Sequence, residues 1–177
     1  MQRRTFLLGT VGLAAATVAV TTVAVTTVAV QSTTFKADLN ALFTELEGLA
    51  GKNLRSNGLW TPSQIFQHLA QSVRGSIQGY PVAKPAWFTR TIGPLALHGF
   101  KASGRMYHPL TEPIPGMSAL DVAIPVDAAL ADLLDALRQF LLAEQLAPHF
   151  AYGELSPQDY QAAHWLHIRQ HLTEIQS

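Results

Sequence analysis

The sequence predicts an all-α fold, a four-helix bundle with one long irregular insert between its second and third helices. Three observations carry that prediction. Apolar residues recur at spacings of three and four through several segments. Two of these segments open on a hydroxyl residue followed by proline, Thr61-Pro62 and Ser156-Pro157, the pattern of a helix N-cap with proline at the first helical position. No segment shows the period-two alternation of a half-buried strand.

The first helix is expected over Thr34–Ala50, where Phe35, Leu39, Leu42, Phe43, Leu46 and Leu49 fall on one stripe. Gly51 and the polar run 52–58 end it. The second begins at Trp60-Thr61-Pro62-Ser63-Gln64, with Thr61 as N-cap, Pro62 at N1 and Gln64 at N3 of a capping box. It runs to about Gln78, where Gly79 stops it. Residues 80–125 hold most of the prolines and no sustained period, so they are expected to form a long ordered insert with a short helix at Trp87–Ile92. The third bundle helix is expected over Val126–Leu146, with Leu130, Leu133, Leu134, Leu137, Phe140 and Leu141 as its stripe. Ser156-Pro157-Gln158-Asp159 opens the last helix, which reaches nearly to the C-terminus. Helices of about 15–21 residues with apolar stripes satisfy one another by packing as a bundle.

The chain has 177 residues, 12 basic and 12 acidic side chains, and no cysteine. A formal charge of zero excludes a binder of nucleic acid that works through a basic face. The absence of cysteine excludes disulfides, thiolate metal sites, iron–sulfur clusters and a cysteine nucleophile. No glycine-rich phosphate loop, serine elbow or metalloprotease signature is present.

The first 30 residues differ from the rest. They hold 18 apolar residues, only two charges (Arg3 and Arg4) and no acid, so residues 31–177 carry 10 basic and 12 acidic groups, a net of −2. The 25-residue run Phe6–Val30 would span ~38 Å as a helix, against ~30 Å of bilayer hydrocarbon. Within it Ala16–Val20, Thr21–Val25 and Thr26–Val30 form a five-residue repeat without a polar face. The start, Gln2-Arg3-Arg4-Thr5-Phe6-Leu7-Leu8, resembles a bacterial twin-arginine export signal; a general secretory signal is the alternative. No clear small-x-small cleavage site closes the run, so either removal or retention as an anchor is expected. Residues 1–33 are thus expected to be a signal or membrane anchor. Residues 34–177 are expected to form the domain, periplasmic or on the outer face of the cytoplasmic membrane.

Histidine is left as the main transition-metal ligand, and four of the seven histidines carry information. His164, His167 and His171 lie in the last helix at spacings of three and four, which puts His167 and His171 on one face about one turn apart. That spacing lets two ring nitrogens converge on one ion. Tyr160, Ala163, His167, His171 and Ile175 share a stripe, which turns the pair inward. His68, beside Ile65, Leu69 and Ser72, is expected on the inward face of the second helix. Each of these histidines read alone also fits a hydrogen-bonded core residue. Together, one histidine from one helix and an i,i+4 pair from another have the layout of a metal site in a bundle core.

Trp60-Thr-Pro-Ser-Gln-Ile-Phe-Gln-His68-Leu-Ala-Gln-Ser72 resembles the second-helix motif of the DinB-like (YfiT-like) superfamily. The chain looks closest to an uncharacterised bacterial subgroup, a domain of unknown function. Further blocks carry the likeness: Gly79–Pro85, Gly104-Arg-Met-Tyr-His108, Pro113-Ile-Pro-Gly116, and His149-Phe-Ala-Tyr-Gly153-Glu-Leu-Ser-Pro157 leading into His164–Leu172. Together they span about residues 35–177. The resemblance implies a four-helix bundle holding a divalent metal (Zn, Ni, Fe or Mn) through His68, His167 and His171. The chain departs from the subgroup at Gln170, where a second histidine is common, and at Glu174.

Three neutral imidazoles leave positions open on such an ion, as in catalytic rather than closed structural sites. By the resemblance, the expected activity is metal-dependent thiol transfer or hydrolysis on a small molecule, by a monomer or homodimer. His164, one turn before the pair, is the expected proton shuttle, with Glu174 as the alternative. Arg105, Tyr107 and His108 of the insert are placed over the pocket, with Arg105 either binding a carboxylate or pairing with Glu112. The competing expectation is a non-catalytic exported binding or scaffold module with structural histidines.

Overall fold

Three helices of the domain begin where a side chain accepts from a free amide of the first turn. The computed structural model describes residues 35–177 and contains six helices and two two-residue strands among them. Helix α1 covers Leu39–Glu47, its N-cap Asp38 accepting from the Ala41 amide, and it buries Leu39, Leu42 and Leu46. Helix α2 covers Pro62–Gln78 and starts on the expected capping box: Thr61 accepts from the Gln64 amide while the Gln64 side chain accepts from the Thr61 amide. It ends at Gly79, at φ +91°. Helix α5 covers Val126–Leu142, and α6 covers Pro157–Leu172 behind the N-cap Ser156.

These four helices share one core. Ile65, Phe66, Leu69 and Val73 of α2 meet Leu130, Leu133, Leu137 and Phe140 of α5, with Leu42 and Leu46 of α1 and Tyr160 and Ile168 of α6 closing it. The α2–α5 contact is the most extensive, and α6 lies against α2, α1 and a further helix, α4 (Ile92–Ser103). The all-α expectation therefore holds for the described residues.

Several boundaries differ from expectation. The first helix starts later and ends earlier than 34–50, because the Asp38 carboxylate captures the first free amide and the chain turns at residues 48–51. The helix expected to reach Leu146 stops at Leu142, where Ala143 adopts an extended conformation. The last helix stops at Leu172, and its tail forms strand β2 (Ile175–Gln176), antiparallel to β1 (Arg55–Ser56). The insert is more regular than expected. It holds α3, Ala86–Arg90, and α4, Ile92–Ser103, before an irregular stretch to Pro125. Pro94 is the third residue of α4, where a missing amide hydrogen breaks no helical bond.

Among the described residues no helix is long and apolar enough to cross a membrane. The apolar segment expected to be a signal or anchor, 1–33, lies outside the described residues.

Candidate metal centre

The α2 cap fixes where that helix begins, and its apolar stripe fixes its rotation. With Ile65, Phe66 and Leu69 sunk in the core, His68 is carried inward and left 2% exposed. On α6 the same logic applies: Tyr160, Ala163 and Ile168 are buried, and His171, on the stripe of Tyr160 and Ala163, is fully buried. His167, one turn earlier, is only partly covered by protein. The three rings meet. Their centres lie 5.0 Å (His68–His167), 4.9 Å (His68–His171) and 4.9 Å (His167–His171) apart. One ligand nitrogen from each falls within 4.8 Å of the others, a set able to hold a metal ion. Trp60 stacks on His171 and leans on His68, walling one side.

The electrostatics favour neutral rings. Burial, then the nearby His108, holds His68 down at about 4; burial, then His68 and His108, holds His171 at about 2. His167 is held well below the usual histidine range, by burial first and then by the neighbouring histidines. Near neutral pH all three therefore present lone pairs rather than charges.

The hydrogen bonding of the cluster is incomplete, and a metal ion would take up one nitrogen of each ring. His68 Nε2 and His167 Nε2 are 3.2 Å apart. A neutral pair can share only one proton across that gap. His68 Nδ1 and both ring nitrogens of His171 are buried with no protein partner. An unpaired buried polar atom costs about 1–3 kcal/mol, so several in one cluster is unusual for a purely structural core. Imidazoles bound to one tetrahedral ion at about 2.0–2.1 Å would place their donor atoms about 3.3 Å apart and their ring centres about 5 Å apart. The observed separations fit a divalent ion bound by nitrogen.

A cavity of about 220 Å³ adjoins His68 and His167. Phe88, Phe100, Met106, Ile114, Phe150 and Tyr152 make much of its wall, and Lys84 and Glu112 bring one charge of each sign. Three more histidines line it, His108, His149 and His164. His149 Nδ1 accepts from the Ala151 and Tyr152 amides at 3.0 and 3.2 Å, which fixes its proton on Nε2. His164 Nε2 lies 3.1 Å from Ser76 Oγ, whose own proton goes to the Val73 carbonyl, so His164 donates. Burial pushes both down to about 3, with His164 adding to the effect on His149.

Thus His68, His167 and His171 come together as the spacing predicts, and the insert supplies the cavity's far wall. The expected proton shuttle His164 lines the same cavity but is hydrogen-bonded to Ser76 rather than to any ring of the cluster. Tyr107 and His108 also line the cavity. Arg105 does not, and it forms no ion pair with Glu112 among the described residues, because it is turned out to solvent. Glu174 packs against Gly58, beside the β1–β2 pair, and one of its carboxylate oxygens is buried without a partner. Sequence reasoning missed His149, Lys84 and the aromatic walls. The one signal was the aromatic run His149-Phe150-Ala151-Tyr152, which reads as an ordinary loop until it folds over the insert.

Residues 29–177 match the model of a family described as "Protein of unknown function (DUF1569)". No curated protein and no solved structure matches the chain.

Proposed function

The chain belongs to the DUF1569 family, proteins of unknown function, and we propose that it is a DinB-like four-helix bundle that binds a divalent metal through His68, His167 and His171. The observation that carries the reading is His171, fully buried with both ring nitrogens unpartnered, inside a ring cluster spaced as metal-bound imidazoles would be. A divalent ion in such a site supplies Lewis acidity, lowering the pKa of a bound water or thiol. The chain's own residues supply the rest. The α2 and α6 rings orient the donors, Trp60 screens one flank from water, and the aromatic wall of the cavity takes the apolar part of a small molecule. On this reading the activity is thiol transfer or hydrolysis. His164, held neutral and donating to Ser76, relays a proton only through a bridging water or ligand.

A second reading, a metal-binding module without turnover, is favoured by one observation. Among the described residues lining the cavity, Glu112 is the single carboxylate, and burial lowers the pKa of every histidine there. We further propose that residues 1–33 direct the domain outside the cytoplasm.

Metal analysis of the purified protein beside a His167→Ala/His171→Ala variant tests the shared premise; equal metal content in both would sink it. In the Co²⁺-loaded protein, visible bands that shift on adding small thiols support transfer chemistry, and bands indifferent to thiols support the module. A reporter fused after Ser177 should be active only outside the cytoplasm. Changing Arg3 and Arg4 to lysine should block that export if the twin-arginine route is used.

A further inference from the structure

The insert does more than wall the cavity. His108, in the irregular stretch after α4, has its ring centre 4.8 Å from His167 and 5.3 Å from His171, close to the 4.9–5.0 Å among the three cluster rings, although its nitrogens lie outside the set of donors within 4.8 Å of one another. Its backbone is tied to the helix that carries those two residues, for Gln170 Nε2 donates to the His108 carbonyl at 3.0 Å. Met106, two residues earlier, is buried and anchors the approach.

The tautomer of His108 is fixed by chemistry. Its Nδ1 lies 2.9 Å from the Pro109 carbonyl oxygen, which can only accept, so Nδ1 carries the proton. The lone pair is then on Nε2, and Nε2 is buried with no hydrogen-bond partner. A histidine with one nitrogen donating to a backbone carbonyl and the other left bare has the usual disposition of a metal ligand. Solvent does not reach the bare nitrogen, and no other protein group answers it.

We propose that His108 Nε2 is a fourth imidazole donor to the metal held by His68, His167 and His171; this rests on the metal-binding reading above. The site then joins two bundle helices and the insert through one ion, and metal binding orders the insert over the cavity. Four imidazoles favour a borderline ion such as Zn²⁺, Co²⁺ or Ni²⁺ over Mg²⁺ or Ca²⁺. A small ligand from the cavity enters as a fifth donor or in place of His108.

The test uses the full chain loaded with Co²⁺, comparing wild type, His108→Ala, His108→Asn and His171→Ala, with far-UV circular dichroism confirming that each is folded. Hyperfine-shifted imidazole proton signals count the bound rings, and competition titration gives the Kd. The expected result is one set of ring signals fewer in either His108 variant than in wild type. The Kd should weaken at least about tenfold, the loss that even an outer partner of a ligand causes. Unchanged ring signals in a folded His108 variant would overturn the proposal, whether or not the Kd weakens. In that case loss of metal by His171→Ala alone leaves the three-histidine reading standing. Wild type that binds Co²⁺ no better than His171→Ala overturns both.

Discussion

Two of the buried histidines lie outside the cluster, each with one ring nitrogen hydrogen-bonded within the protein, which makes their acid response calculable. His164 is 2% exposed and donates to Ser76; His149 is 7% exposed and accepts two backbone amides on Nδ1. Protonating His149 breaks both amide bonds. Protonating His164 buries a charge with no counter-ion among its partners. Both are pushed down to about 3 in the fold, whereas an unfolded histidine titrates near 6.5. Between those values the unfolded chain binds protons that the folded one refuses, so stability is full above pH 6.5 and declines as pH falls toward 3. Going from pH 7 to pH 5, each of these two residues takes away about 2 kcal/mol, or about 4 kcal/mol together, by proton linkage. A domain typically has only about 5–15 kcal/mol to lose.

Urea unfolding of metal-free protein at pH 7 and pH 5 measures this, with His164→Gln as the comparison. The variant starts less stable, but its loss between the two pH values should be smaller than the wild-type loss by about 2 kcal/mol. In the metal-free protein His68 and His171 steepen both curves alike, since burial lowers them as well. Equal losses in wild type and variant, within about 0.5 kcal/mol, would refute the assignment of His164 as a neutral buried donor.

Three further outcomes follow from the packing. Gly93→Ala should destabilise by about 1–3 kcal/mol or more in urea, because a Cβ there runs into the Ala151 carbonyl oxygen, which is backbone and has little room to yield. Thr61→Ala removes the acceptor for the Gln64 amide and should cost about 1 kcal/mol, read as a lower urea midpoint with unchanged slope. Arg74→Ala, although it breaks contacts to both Asp132 and Asp135, should cost no more than about 1 kcal/mol, with the difference shrinking in high salt, because those carboxylates are half exposed.

What the sequence announced in advance was whatever depends on residues close together in the chain. The α2 boundaries fall where Thr61, Pro62, Gln64 and Gly79 put them, because a capping box and a glycine stop are settled within one turn. His68, His167 and His171 were found from helical spacing alone, since rotation about each helix follows from its apolar stripe. Helix α4 was hidden because Gly93, Pro94 and Gly99 argue against a helix wherever their position within it is unknown. It packs on α3 and α6, and local propensity does not report that. The β1–β2 pair joins residues about 120 apart in the chain through two-residue strands, too short for a pattern to register. The place of His108 over the pocket is not read from any motif. Its ring position depends on the path of the whole insert and on a tether from Gln170 that no spacing encodes.

Burial does not separate the histidines that could serve a metal from those that serve the fold. His68, His164 and His171 are all almost wholly buried, and all are held neutral for the same first reason. The difference lies in where their nitrogens go. His149 Nδ1 and His164 Nε2 have protein partners, as ordinary core residues do. The cluster leaves four ring nitrogens bare, on His68, His108 and both sides of His171, and they are gathered at one end of α6 where α2 and the insert meet. Loose packing would scatter such deficits through the core, since a mobile or poorly fitted side chain leaves orphans wherever it falls. A metal ion binds one nitrogen of each ring, so it would answer one of the two on His171 and leave the other to a proton. An electron-rich cluster with no cation beside it is therefore the strongest reason to look for an ion there, stronger than the helical spacing that first drew attention to it.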